Sequence, residues 1–245
     1  MLFHPLLSIV KMTPKQIKNL LVITFLLTLS YDSFSQKWDW GLKASGTPQF
    51  PYDPNAEIHV DYEGNIVIAG HFQKALGFGP FSIYTDDDYY SDMFLCRINS
   101  NQQVEWLKHI EAGSSYGDDI GLTTDDDQNI YLTGSIDGGV FVSKYDSLGN
   151  LIWKQDFEQK LSGYGRTIAL DQFDNVYIAG GSGWNFFMAK LDFQGNIIWE
   201  KDKWVNSSRG CDITDMAVDA LGNIYFIGVF GIDTGNEHIF YAPVF

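Results

Sequence analysis

The sequence predicts an all-β chain that folds as a β-propeller of about four blades, each of them a four-stranded antiparallel sheet. One motif of eleven residues, which reads VDALGNIYFIG in its last copy, occurs four times. A second motif that ends in tryptophan follows the first three copies, and both motifs recur at about 47 residues. Units repeated at roughly 40 to 50 residues are typical of propeller blades. A content of 16 % aromatic residues and 24 glycines suits the same fold class.

Two markers define the period of the repeat. The aspartates of the first motif are Asp61, Asp125, Asp171 and Asp219, at intervals of 64, 46 and 48 residues. The tryptophans that end the second motif are Trp106, Trp153 and Trp199, at intervals of 47 and 46 residues. Because two independent markers keep one period, we expect blades that start near residues 57, 120, 167 and 213.

The third repeat shows how each unit divides into four short strands. RTIALD and VYIAG are apolar runs joined by the turn QFDN, and FFMAKLD and IIWEKD are joined by FQGN. Such runs, rich in β-branched and aromatic residues and interrupted by Asp-Asn or Gly-Asn, predict antiparallel hairpins. No stretch after Gln36 has a helical period. One small sheet cannot cover both of its faces, so the repeats are expected to stack on one another.

Three residue types in the motifs have predicted structural roles. The asparagines of the first turn are expected to take a positive φ or to bond the backbone there; they are Asn65, Asn129, Asn175 and Asn223. The glycines that end the second strand mark a sharp turn or a close contact; they are Gly70, Gly134, Gly180 and Gly228. The tryptophans open the outer strand and are expected to be buried between adjacent blades.

The first repeat is longer than the others by about 17 residues. The excess lies in HFQKALGFGPFSIYTDDDYYSD, between the second and third strands. This segment predicts a longer hairpin whose tip carries the acidic run Asp86–Asp88 beside Tyr89 and Tyr90.

The first 35 residues differ from the rest and predict a secretory signal peptide. Three lysines precede the apolar run LLVITFLLTLS, and Ser33 and Ser35 occupy the small-residue positions before a cleavage site. A membrane anchor would need about 18 apolar residues, and this run has eleven. We therefore expect cleavage before Gln36, a repeat domain over residues 36–245, a secreted or cell-surface location and no stable membrane insertion.

The chain is acidic. Its formal net charge is −15, and cleavage before Gln36 would change it to −17. An acidic surface repels phosphate groups, so nucleic acid and anionic lipid are not expected as partners.

The chain resembles the SBBP-type β-propeller repeats found in exported proteins of Bacteroidetes-like bacteria. The matching segments are VDYEGNIVIAG, LGFGPFSIYTDDDYYSDMFLCRIN and KYDSLGNLIW, and the opening QKWDWGLKASG is similar to the lone outer strand with which such proteins begin. The resemblance spans residues 36–245 and implies a scaffold without naming a ligand. Family members often carry six or more blades and a C-terminal sorting domain for type IX secretion, so the resemblance implies a truncated chain.

Two arrangements of the repeats stay open. KWDWGLKAS could pair with HIFYAPVF as the outer strand of the last repeat and close a ring of four blades, with Trp38 or Trp40 in the wedge position of Trp153. Closure would also hide an exposed edge strand. Otherwise the blades form an incomplete arc, which is favoured because family members also begin with such a strand.

No segment carries a motif for catalysis, for a cofactor or for a metal ion, so no residue is predicted for any of these sites. The acidic runs at Asp86–Asp88 and Asp125–Asp127 lack the calcium-loop pattern, since positions six and twelve from Asp125 are isoleucines. The histidines share no repeat position and are interpreted as structural residues; they are His59, His71, His109 and His238. Cys96 and Cys211 are interpreted as two separate thiols and not as a disulfide.

Two classes of function stay open. The first is a non-catalytic exported scaffold that binds or displays an unknown protein or carbohydrate ligand at the cell surface. The alternative is an enzyme with its active site in the channel, since KYDSLGNLIW is similar to the D-x-x-x-G-x-x-x-W stretch of quinoprotein propellers, with one residue fewer between the aspartate and the glycine. Converging acids, histidines or arginines on the inner strands would favour the enzyme. The channel is predicted to have a lining with few charged groups, which favours the scaffold. This prediction is based on the inner strands EIHVD, GLTTD, TIALD and DMAVD.

Overall fold

The computed structural model describes residues 41–46, 56–86, 90–114, 119–136, 138–157, 163–181, 185–204, 211–232 and 235–238. These residues form eighteen β-strands and no helix. The chain divides into two compact units, Met1–Gly41 and Leu42–Phe245, and all the strands belong to the second unit. The predicted signal peptide lies outside the described residues.

The strands form four successive antiparallel blades in which strand order follows the chain. Blade 1 consists of β2 (Ala56–Val60), β3 (Ile66–Phe72), β6 (Ser91–Ile98) and β7 (Val104–Ser114). Blade 2 consists of β8 (Gly121–Thr124), β9 (Ile130–Ile136), β10 (Gly139–Tyr145) and β11 (Leu151–Asp156). Blade 3 consists of β12 (Tyr164–Leu170), β13 (Val176–Gly181), β14 (Asn185–Leu191) and β15 (Ile197–Trp204). The described strands of blade 4 are β16 (Cys211–Val218), β17 (Ile224–Ile232) and β18 (Gly235–His238).

The blades stack side by side, so the predicted propeller fold class of four-stranded antiparallel units is confirmed. The first strands of consecutive blades contact one another, β2 with β8, β8 with β12 and β12 with β16. They therefore form the inner edge of the stack. An apolar core lies between each pair of blades; the three cores join Val67 with Leu132, Tyr131 with Ile178, and Tyr177 with Met216, among others. Each fully buried apolar side chain of this size contributes about 1.5–3 kcal/mol.

An aspartate and an asparagine close the turn of every first motif. In blade 2 the Asn129 backbone N–H donates to Oδ1 of Asp125 at 2.8 Å, and its side-chain amide donates to Oδ2 at 2.9 Å. The same pair closes five other turns, at residues 61–65, 146–150, 171–175, 192–196 and 219–223. The turns therefore repeat in hydrogen bonding as well as in sequence.

The predicted positive φ of these asparagines is wrong. A positive φ falls on the preceding residue instead, with 63° at Gln128 and 58° at Asp174. The asparagine carbonyl accepts a hydrogen bond from the aspartate N–H, at 3.0 Å between Asn129 and Asp125. This bond closes the turn next to the first residue pair of the two strands, Thr124 with Ile130.

The repeat glycine of the second strand allows a close approach of the backbone. A Cβ at Gly180 would lie 1.9 Å from the carbonyl oxygen of Tyr164, and one at Gly228 would lie 2.2 Å from that of Asp212. The opposing first strands carry β-bulges, between Gly165 and Thr167 in blade 3 and between Ile213 and Asp215 in blade 4. Of the two predicted reasons for these glycines, close contact is therefore the one observed.

The motif tryptophans reach from one blade to the next. The Trp106 indole N–H donates to the carbonyl of Ser147 at 3.1 Å, and that of Trp153 donates to the carbonyl of Phe193 at 3.3 Å. Trp106 is buried, as predicted. Trp153 and Trp199 are only half-buried, which corrects the prediction for them. The outer strand lies at the rim of the stack, where water reaches one side of the indole.

The insertion of the first repeat forms β4 (Ala75–Phe78) and β5 (Phe81–Tyr84), which pair with β1 (Ser45–Gly46) in a three-stranded sheet. The tip of the hairpin is Gly79–Pro80, not the acidic run, because Gly79 takes the positive φ of 55° that a tight turn needs. Asp86 follows β5, at the base of the hairpin, and residues 87–89 lie outside the described residues.

The four blades do not close into a ring among the described residues. The end of the segment predicted to close the ring is β1, and Ser45 pairs there with Gly77 of the insertion. Trp38, Trp40 and residues 239–245, which the closure hypothesis invokes, lie outside the described residues.

Candidate functional site: charged groups at the inner strands

Charged side chains from all four blades gather where the inner strands begin. We call this group the inner-strand cluster; it consists of Glu57, Asp119, Arg166, Asp212 and Asp215. Glu57 lies on β2, Asp119 directly precedes β8, Arg166 lies on β12, and both Asp212 and Asp215 lie on β16. Since these strands neighbour one another at the inner edge, residues that are far apart in sequence converge there.

Arg166 connects three blades. Its Nη2 lies 2.7 Å from Oδ2 of Asp119 in blade 2 and 2.8 Å from Oδ2 of Asp212 in blade 4. All three side chains are half-buried, so these charge-assisted hydrogen bonds are shielded from solvent more than ordinary surface pairs. The contact fixes the relative positions of blades 2, 3 and 4 at their inner ends.

A β-bulge explains how Arg166 reaches both partners. In β12 the ladder passes from Gly165 directly to Thr167, which leaves Arg166 without a partner residue on β13. An unpaired residue of this kind bends the strand and redirects its side chain. The bulge of β16 lies at the same height, and it leaves Thr214 unpaired between Ile213 and Asp215.

Carboxylates of the inner-strand cluster raise the pKa of their neighbours. Burial raises the pKa of Asp212 to about 6, Arg166 opposes this shift, and the charge of Asp119 adds to it. Partial burial also raises the pKa of Glu57, and the charges of Asp215 and Asp119 raise it further. Carboxylates of blades 1, 2 and 4 are therefore close enough to repel one another.

Asp215 is held in place while its carboxylate stays exposed. Its Oδ1 accepts hydrogen bonds from the backbone N–H of Met216 at 2.8 Å and from the Thr167 hydroxyl of blade 3 at 3.4 Å. Glu57, on the first blade, is exposed as well. These two side chains are the most exposed members of the inner-strand cluster.

The chemistry of the cluster is that of an acidic site with one guanidinium. Its carboxylates outnumber its cation, so it favours a positively charged group. Among the described residues, no group of three or more histidines, cysteines or acids is placed to hold a metal ion. The arrangement can bind an organic cation, and Asp212, with its pKa near 6, can exchange a proton close to neutral pH.

The prediction that the inner strands carry few charged groups is wrong. Glu57 and Asp215 were visible in the inner-strand sequences, but Asp119, Arg166 and Asp212 precede or interrupt those strands. Glu57 and Asp215 share one repeat position, four residues before the motif aspartate, but Asp119, Arg166 and Asp212 occupy different positions, so the period of the repeat contains no signal for those three. The bulge in β12 also has no clear signature in the sequence.

Of the acidic runs considered from the sequence, the one at Asp125–Asp127 forms part of a turn. Asp125 closes its turn through Asn129, accepts a hydrogen bond from the Tyr131 hydroxyl at 3.0 Å and pairs with Lys144 at 3.2 Å. Burial raises its pKa, but these hydrogen bonds and Lys144 outweigh burial and leave the pKa lowered. Asp126 and Asp127 are exposed at the tip of the same turn.

The histidines lie in different surroundings. His109 pairs with Asp92 at 2.8 Å and packs edge-on against Phe72. His71 is buried, and His59 is half-buried on β2, where burial lowers its pKa. The side chain of His238 is outside the described part of the chain.

The cysteine that the structure describes is a buried free thiol. Cys96 faces the apolar core between blade 1 and the insertion. Burial raises its pKa to about 12, so the thiol is unreactive at neutral pH. The side chain of Cys211 lies outside the described residues.

Comparison with known proteins gives no family. No protein-family model and no curated protein matches the sequence. Two solved structures are similar, each with 11 % sequence identity and a TM-score of 0.39. One is a protein of unknown function from Bacteroides caccae, and the match covers 76 % of this chain and 72 % of that one. The other is named a "putative gluconolactonase", with 77 % of this chain and 59 % of that chain covered.

A TM-score of 0.39 is too low to assign a fold or a function to this chain. The fold class is established by the strand topology of the chain itself. The resemblance to SBBP-type repeats stays a prediction. No helix among the described residues is long and apolar enough to cross a membrane.

Proposed function

We propose that the chain is an exported, non-catalytic β-propeller scaffold that binds a partner through a cationic group at the inner-strand cluster. The observation that supports this most is the exposed pair Glu57 and Asp215, which come from blades 1 and 4. Partial burial raises the pKa of Glu57, and the charge of Asp215 raises it further. A lysine or arginine side chain placed between these carboxylates would relieve their repulsion, so the site favours a basic protein segment over a neutral carbohydrate.

The polar residues that recur in each repeat form contacts within the fold, which supports a scaffold. The repeat aspartates close turns, as Asp171 does with Asn175. The cationic residues of the third strands, such as Lys190, pair with those aspartates at 3.4 Å and lie over the neighbouring tyrosine. Export and a secreted or cell-surface location rest on the signal-peptide pattern of residues 1–35 and are part of the proposal.

The binding test compares wild type with the double variant Glu57→Gln/Asp215→Asn. Penta-lysine and penta-arginine peptides and a neutral oligosaccharide panel are the probes, and calorimetry is the readout. The wild type should bind the basic peptides in a salt-sensitive way, and the double variant should bind at least about tenfold more weakly. Equal binding by wild type and variant would contradict the proposal, as would binding of the neutral sugars alone.

The matched control is Glu63→Gln/Asp126→Asn. It removes the same number of charges from exposed acids in the turns at the other end of the inner strands. Because net charge changes equally in both double variants, only the inner-strand variant should lose binding. A similar loss in the control would mean that total charge, and not the cluster, attracts the peptides.

Acids and an arginine converge at the inner strands, which is the lining expected of an enzyme, so an enzyme is the second candidate. Asp212 has a pKa near 6, beside the guanidinium of Arg166, and such a carboxyl can donate or accept a proton in catalysis. Nε of Arg166 is also buried without an acceptor among the described residues. A panel of ester, glycoside and phosphate substrates tests this: activity that disappears in Asp212→Asn and depends on pH near 6 would favour the enzyme over the scaffold.

A further inference from the structure

The first turns of the four blades lie where the inner strands end, away from the inner-strand cluster. Each of these turns joins the inner strand of its blade to the second strand; the turns are residues 61–65, 125–129, 171–175 and 219–223. We call the exposed face that they form together the turn surface.

The turn surface is continuous, because turns of consecutive blades contact one another. Between blades 1 and 2, the guanidinium of Arg97 pairs with Asp61 at 3.7 Å and donates a hydrogen bond to Gln128 of the next turn. Between blades 3 and 4, the side-chain amide of Gln172 donates to the carbonyl of Ala220 at 3.0 Å. Side chains from different turns can therefore contact one ligand together.

Large apolar side chains stand at both sides of the turn surface. Tyr62 of blade 1 is 70 % exposed, Phe173 of blade 3 is 69 % exposed and Leu221 of blade 4 is 88 % exposed. Phe173 and Leu221 occupy the same repeat position, two residues after the motif aspartate, on turns that contact each other. Neighbouring apolar side chains that stay in water are typical of an interaction surface, whereas single ones are common everywhere.

Exposed carboxylates lie between these apolar side chains. Blade 1 contributes Glu63, blade 2 contributes Asp126 and Asp127, and blade 3 contributes Asp174. Partial burial raises the pKa of Asp174, and the charges of Asp125, Asp126 and Asp127 raise it further. The acids of blades 2 and 3 are therefore close enough to form one negative centre.

The cations nearest to the turns pair with motif aspartates and not with these exposed acids. Each of them is buried or half-buried. The pairs are Arg97 with Asp61 at 3.7 Å, Lys144 with Asp125 at 3.2 Å and Lys190 with Asp171 at 3.4 Å. The exposed carboxylates therefore keep the excess negative charge of the turn surface.

We propose that the turn surface binds a partner protein through a segment in which basic side chains lie between apolar ones. The apolar side chains of the segment contact Tyr62 on one side and Phe173 and Leu221 on the other. The basic side chains face the carboxylates between them, so the partner is identified by charge complementarity together with the order of apolar and acidic groups. The inference concerns a second surface and does not depend on binding at the inner-strand cluster.

Both kinds of contact are needed at this surface. Ion pairs between exposed side chains contribute little to affinity, because water and salt screen them. Aromatic and aliphatic anchors supply most of the binding free energy in such interfaces. A peptide of lysines alone should therefore bind the turn surface weakly, and the neutral apolar peptide should meet uncompensated carboxylates.

The test uses the full chain with Glu57→Gln/Asp215→Asn, so that the inner-strand cluster does not contribute. The probes are peptides with three, five or seven lysines between two tryptophans, the same peptides with serine in place of tryptophan, and the same peptides with serine in place of lysine. Calorimetry should show at least about tenfold tighter binding of the tryptophan–lysine peptides than of both other sets. Equal binding of the lysine–serine peptides, or of the tryptophan–serine peptides, would overturn the proposal.

Phe173→Ser in the same chain should weaken binding of the tryptophan–lysine peptides by at least about tenfold. The matched control is Tyr84→Ser, because Tyr84 is an aromatic residue of almost equal exposure, 68 %, that belongs to the insertion sheet and not to the turns. Circular dichroism checks that both variants fold, which is expected because both side chains are exposed. Unchanged binding by Phe173→Ser, or an equal loss in Tyr84→Ser, would also overturn the proposal.

Discussion

The side-chain amide of Asn175 donates to both carboxylate oxygens of Asp171, at 3.1 Å to Oδ1 and 2.9 Å to Oδ2. The backbone N–H of Asn175 adds a third bond, 3.0 Å to Oδ1. Asn175 thus donates three hydrogen bonds to the carboxylate of Asp171 within one tight turn. Closely related hydrogen bonds close the other five turns of this kind. The recurrence of the motif follows from this local chemistry together with the need of each blade for a neighbour.

Asn175→Ala is expected to destabilise blade 3 by about 1–3 kcal/mol at pH 7, because the carboxylate of Asp171 loses its amide donor. Burial raises the pKa of Asp171, but the hydrogen bonds from Asn175 and its neighbours lower it below the ordinary value. A lowered folded pKa stabilises the protein above about pH 4, and this contribution disappears as pH falls through the folded pKa. Denaturant unfolding should therefore show a difference between wild type and variant that shrinks in acid. Asn101→Ala, in an exposed turn, is the control, and an equal effect there would contradict the assignment.

Asp212→Asn tests how far ionisation of Asp212 destabilises the folded protein. The folded pKa of Asp212 is about 6, above the ordinary value of 3.8. The folded state therefore binds more protons than the unfolded state between these values, and stability from this group is lost as pH rises through 6. The variant lacks this loss, so it should gain stability relative to wild type between about pH 4.5 and pH 7. A variant that instead loses relative stability at pH 7 would mean that the ion pair with Arg166 outweighs burial.

Trp153→Ala should lower the free energy of unfolding by about 2 kcal/mol, less than the 3–5 kcal/mol typical of a fully buried tryptophan. The indole covers Gly195 of the next blade, 2.8 Å from where a Cβ there would lie, and donates to the carbonyl of Phe193. Trp153→Phe keeps the apolar contact and should recover part of the loss. Thermal unfolding checks both variants. An unchanged melting temperature for Trp153→Ala would contradict the packing of Trp153 between blades 2 and 3.

Gly180→Ala should be severely destabilising, by about 1–3 kcal/mol or more. The added methyl group would meet the carbonyl oxygen of Tyr164 at 1.9 Å, which requires the two strands to separate. Gly139→Ala is the matched control, because its Cβ would meet nothing closer than the carbonyl oxygen of Ile136 at 3.5 Å. Similar unfolding midpoints for the two variants in denaturant would count against the close backbone contact.

The sequence predicted the parts of the fold that repeat and missed those that occur once. The spacing of Asp125 and Asp171 located the blades, because turn and strand chemistry recurs with the period. The tip of the insertion was predicted at the acidic run, but the turn signal of that segment is Gly79–Pro80, where Gly79 takes a positive φ. The contact of Arg166 with Asp212 was missed because it depends on a bulge and on the stacking of blades.

The pKa of Glu57 tests the central claim most directly, since that claim is that carboxylates of blades 1 and 4 converge at the inner strands. An NMR titration of the Glu57 side chain in wild type should give a pKa above its ordinary value, because of partial burial and then the charges of Asp215 and Asp119. In Asp215→Asn the pKa of Glu57 should fall toward that value, while Asp126→Asn should leave it unchanged. An ordinary pKa in wild type, or one that does not respond to Asp215→Asn, would contradict the convergence of the two blades.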